Sequence, residues 1–104
     1  SWDVAVNWMV KEVLKSKASI ALIGCGSLGM IVGAELKKHG VIAIVLGGAT
    51  HVLFAIKGMR WAHHSVISQL WNDAWVWPKA SETPRGASLI EGACYWHKIE
   101  AVNI

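Results

Sequence analysis

With 104 residues the chain has room for one small domain with a modest core, and a second full domain is excluded. Its 54% hydrophobic and 16% charged residues separate it from disordered chains. Ten Lys and Arg against seven Asp and Glu give a net charge of +3, and the cations are scattered, unlike the basic run of a nucleic-acid binder.

Trp2, Ala5, Val6, Met9, Val10, Val13 and Leu14 recur at helical spacing, with Asp3 early and Lys15 late as the helix dipole prefers. They predict an amphipathic helix over residues 2–16. The continuous apolar run at residues 20–23 reads as a buried strand. In residues 28–39, Leu28, Ile31, Val32 and Leu36 oppose Glu35, Lys37 and Lys38, and Gly40 is a natural stop, so a second helix is expected. "VIAIVL" from Val41 is a second strand, broken by Gly47 and Gly48. Strand, crossover helix and strand predict the α/β class, as a Rossmann-like βαβ unit with a small parallel sheet covered on both faces.

Downstream, "ATHVLFAIKGMRW" reads as a short helix ended at Gly58, and "HHSVISQLW" as another helical turn or two. "WVW" and "CYW" are expected as short strands, with loop chemistry between them. Five of the seven tryptophans, at 61, 71, 75, 77 and 96, make this an irregular, Trp-rich C-terminal segment. Residues 1–104 are taken as a single domain.

Membrane insertion is weighed at residues 18–34, which carry no charge and include the GxxxG pair Gly29 and Gly33. The stretch falls short of the roughly 20 residues that a span needs. Its glycines would each cost a helix about 1 kcal/mol relative to Ala. No membrane span is expected. Two cysteines are too few for a secreted disulfide framework, and no export signal is visible, so a cytoplasmic setting is expected. A chain opening on Ser1 reads as a piece of a longer protein.

"GCGSLG" at residues 24–29 carries the GxGxxG pattern between the first strand and the second helix. In that pattern the first glycine permits the tight turn, the second lets backbone approach phosphate, and the third lets helix pack on strand. Gly24, Gly26, Ser27 and Gly29 are therefore candidate contacts to an anionic ligand. An NAD(P)-dependent oxidoreductase needs an acidic residue closing the second strand, and "VLGG" stands there instead. A corner that binds nothing is the bland alternative. Cys25 is either a reactive thiol lowered by the helix N-terminus or a small turn residue.

In "KGMRW", Lys57 and Arg60 could serve a diphosphate and Trp61 a base or sugar face, against the alternative of solvated charges and a packed ring. Asp73, Glu82 and Glu91 are single acids, each a candidate base or acceptor contact. Trp75 and Trp77 could stack on sugar rings or be core. His51, His63, His64 and His97 do not form a metal site on spacing, and Cys94 with His97 is only a CxxH pair.

The run from "IALIGCGSLG" through "VLGGA" and "KGMRW" to "WNDAWVWP", "ETP" and "EGACYW" resembles the glycosyltransferase-D-like domain of polysaccharide and glycan biosynthesis proteins, over nearly the whole chain. The resemblance implies a Rossmann-like fold and transfer from a nucleotide-sugar donor, such as a UDP-sugar, to a glycan acceptor. It implies donor contacts at Gly24, Gly26, Ser27, Gly29, Lys57 and Arg60, with Asp73, Glu82 or Glu91 as base. The family's DxE motif, which serves a divalent metal, belongs to an N-terminal portion, and no metal ligands are evident in this chain. A C-terminal fragment is therefore implied, with a non-catalytic nucleotide or sugar-phosphate binding module as the alternative.

Overall fold

A computed structural model of the protein describes residues 1–97. The chain divides into two compact units, Ser1–Thr50 and His51–Ile104. Helix and strand are mixed, and the sheet formed among the described residues is small and parallel, as the sequence predicts.

The first unit contains helix α1 (Trp2–Ser16), strand β1 (Ile20–Ile23), helix α2 (Gly29–Lys38) and strand β2 (Ile42–Val45). Lys17 closes α1 in the left-handed conformation, its N–H donating to the Leu14 carbonyl. Gly40, at φ +79°, ends α2, and the Val41 N–H returns to the Leu36 carbonyl at 3.1 Å. β1 and β2 pair in parallel, with Ile20 beside Ile42 and Leu22 beside Ile44.

Alternation divides the sheet between two environments. Ala21 and Ile23 face Val6 and Val10 of α1 and Val32 and Leu36 of α2, forming a core centred on the fully buried Leu36. The alternate positions Ile20, Leu22, Ile42 and Ile44 are 43–59% exposed. The expectation of a sheet covered on both faces therefore fails among the described residues, because both helices pack on the same side.

Short helix α3 (Ala49–Leu53) leads into the second unit, where α4 (Met59–Ala62) and several 3-10 turns follow. Gly58 does not end a helix as expected; it is the N-cap of α4. A Cβ there would meet the Cys94 carbonyl oxygen and the Tyr95 backbone at 3.2 Å. "CYW" is not a strand either. Its Cys94 carbonyl accepts the Arg60 N–H at 2.6 Å and its Trp96 carbonyl the Met59 N–H at 3.4 Å, satisfying donors that the first turn of a helix leaves free. The "WVW" segment contributes one parallel bridge, Ile56 with Val76.

Candidate functional site

The glycine turn lies at the carboxyl ends of the two parallel strands. The Ile23 carbonyl accepts the Leu46 N–H at 2.9 Å and the Gly47 N–H at 3.3 Å, so the loop after β2 is tied to the loop after β1. A 3-10 turn, Gly26–Leu28, then runs into α2. The three glycines occupy three different environments. A Cβ on Gly24 would collide with the Thr50 hydroxyl and lie 2.8 Å from Thr50 Cβ and 3.0 Å from the Gly47 carbonyl oxygen. One on Gly29 would lie 3.1 Å from Val45 Cγ1, which brings α2 close to β2. Gly26 has φ +59° and nothing within 4 Å of its Cβ direction, and Ser27 beside it is exposed. Crowding by Thr50 rather than a positive φ thus calls for glycine at position 24, the positive φ falls on Gly26, and Gly29 lies close against β2.

Burial pushes the Cys25 thiol up, the opposite direction from the lowering expected of a reactive thiol at a helix start. Thr50 Oγ1 is buried against Gly24 with no hydrogen-bond partner. Sequence reasoning missed Thr50; its signal was a lone hydroxyl directly after the small residues "GGA".

In the second unit the cationic candidates are engaged with rings. Lys57 Nζ lies 5.3 Å from the Trp71 ring centroid, and the Arg60 guanidinium lies 5.4 Å from the Tyr95 ring and 5.8 Å from that of Trp61. Arg60 also donates to the Tyr95 hydroxyl. Arg60 and Glu91 line one cleft together with His63 and Cys94. There the Cys94 thiol donates to the Glu91 carboxylate at 3.2 Å, and burial followed by that carboxylate pushes the thiol up.

Glu82 is elsewhere, in a cavity with His51, Trp77, Pro78 and Trp96. Asp73 is exposed and lines neither cavity. The three acids are therefore not brought together. Trp75 and Trp77 both pack on Trp71, with ring centroids 6.0 and 5.7 Å away. Among the described residues no three His, Cys, Asp or Glu converge on a metal-binding point, and no helix is long and apolar enough to cross a membrane.

No protein-family model, curated protein or solved structure matches the chain. The functional reading therefore rests on its own residues.

Proposed function

We propose that the chain is the C-terminal portion of a glycosyltransferase-D-like protein of glycan biosynthesis, with β1, α2 and β2 as a Rossmann-like unit whose glycine turn receives the diphosphate of a nucleotide-sugar. The observation that carries this reading is the contrast among the three glycines. Gly24 stands where a side chain would collide and Gly29 where one would crowd Val45, whereas Gly26 stands open at a positive φ beside the exposed Ser27. Packing accounts for the first two. The positive φ of Gly26 accounts for the third, and it leaves that backbone open to an anion in the 3-10 turn that runs into α2, a ten-residue helix.

The reading uses only the first unit. Lys57 and Arg60 are engaged with aromatic rings of the second, so the turn carries the proposal without them. Transfer to an acceptor is assigned to the longer protein and donor binding to this chain, in a cytoplasmic setting that suits its two free thiols.

Calorimetric titration with UDP, UDP-sugars, NAD and S-adenosylmethionine tests the reading. UDP and at least one UDP-sugar should bind, and Gly26→Val should abolish that binding. Absence of UDP binding, or a preference for NAD, overturns it. Binding without transfer, even when the remainder of the protein is supplied, would identify a non-catalytic module instead.

A further inference from the structure

We infer that the second unit carries its own binding site for a neutral saccharide ring, in the cavity lined by Trp77, Pro78, Trp96, His51 and Glu82. Its volume is about 340 Å³, at the small end of the roughly 300–1,000 Å³ typical of small-molecule pockets. It suits one sugar ring better than a whole nucleotide-sugar.

The lining matches the two sides of a pyranose. Its C–H face packs on flat apolar surface, which Trp77, Trp96 and Pro78 provide, and its hydroxyl edge needs hydrogen-bonding groups, which Glu82 and His51 provide. These groups are fixed in advance, which lowers the ordering cost of binding. The Trp77 ring is held edge-on by His97 at 4.6 Å and by Trp71 at 5.7 Å between centroids. Glu82 Oε2 accepts the Lys79 N–H at 2.7 Å, leaving Oε1 for a ligand. The His51 ring stands edge-on to Tyr95 at 5.4 Å.

Charge excludes an anionic ligand. A phosphate would meet a carboxylate, and no Lys or Arg is among the described residues lining the cavity. A quaternary ammonium suits an aromatic wall with a carboxylate. Choline as the control in the test below separates that ligand from a saccharide. Burial lowers the His51 pKa and so favours a neutral imidazole, able to donate or accept.

The inference goes beyond the proposed function because it uses residues of the second unit alone. Failure of UDP binding leaves it standing, and its own failure leaves the glycine turn standing.

Saturation-transfer difference NMR on the 104-residue chain tests it, with methyl glycosides of glucose, galactose, mannose and N-acetylglucosamine at millimolar concentration and choline as the cationic control. At least one glycoside should receive magnetisation. Glu82→Gln, which keeps an acceptor for the Lys79 N–H but replaces a charged hydrogen bond with a neutral one, should weaken binding about tenfold. Trp96→Leu, which keeps apolar bulk but removes the flat face, should weaken it at least as much. The inference is overturned if the folded wild-type chain binds none of the glycosides, if choline is the only probe bound, or if both variants bind as the wild type does.

Discussion

Gly24 and Thr50 come from different loops and are packed so closely that a Cβ on Gly24 would lie 2.8 Å from Thr50 Cβ, with the Thr50 hydroxyl nearer still. The first glycine of the turn is therefore required by the loop after β2 and not by its own φ. Gly24→Ala should destabilise the chain by about 1–3 kcal/mol, the usual cost of overpacking. Thr50→Ala in the same chain removes the nearest atom and should recover part of that loss, with a coupling of about 0.5 kcal/mol or more. Urea denaturation of the two single variants and the double variant measures it; strictly additive losses would contradict the contact.

Gly58 makes the corresponding prediction for the second unit. Its added Cβ would meet backbone atoms of Cys94 and Tyr95 at 3.2 Å, and backbone yields less readily than the end of a side chain. Gly58→Ala should cost about 1–3 kcal/mol. Amide hydrogen exchange should also show weaker protection at Arg60, whose N–H donates to the Cys94 carbonyl. Unchanged protection would rule out this docking of α4.

The Glu91 carboxylate accepting from Cys94 predicts slow thiol chemistry. Burial and then Glu91 push the thiol up, so the folded state holds its proton more tightly than the unfolded state does. This contribution to stability is fully present below the ordinary thiol range and is lost as pH rises through the folded-state pKa. Glu91→Gln removes the charge and should speed alkylation of Cys94 by iodoacetamide at mildly alkaline pH. A rate equal to or below that of the wild type would contradict the pairing.

His51 has the opposite sign. Burial lowers its pKa, so its contribution to stability is present above the ordinary imidazole value and is lost as pH falls through the lowered one. Urea midpoints at about pH 7.5 and about pH 5.5 should differ less in His51→Phe than in the wild type. An equal difference would show that His51 is not the group responsible.

The first unit was legible because its elements announce themselves. The residues expected as α1, β1, α2 and β2 form those elements to within a residue or two, each bounded by a glycine or a charge reversal. What the sequence hid was which sheet face the helices cover. Ile20, Leu22, Ile42 and Ile44 read as buried because a continuous apolar run looks the same whether one face or both are packed.

The second unit was less legible, since its turns are too short for periodicity to show. Tyr95 and the carbonyls of Cys94 and Trp96 hold α4 through long-range contacts that local pattern does not encode. At the candidate sites, the glycines were visible from spacing. The grouping of Glu82 with Trp77 and Trp96, and of Arg60 with Glu91, came only from tertiary packing.

Two-dimensional amide NMR of the chain titrated with UDP tests the central claim most directly. The account predicts saturable shifts of the amides of Gly26, Ser27 and Gly29, lost in Gly26→Asn, a substitution that tolerates the positive φ but fills the open space beside the backbone. Saturable UDP binding that leaves those three amides unmoved, or that persists unchanged in Gly26→Asn, would contradict it.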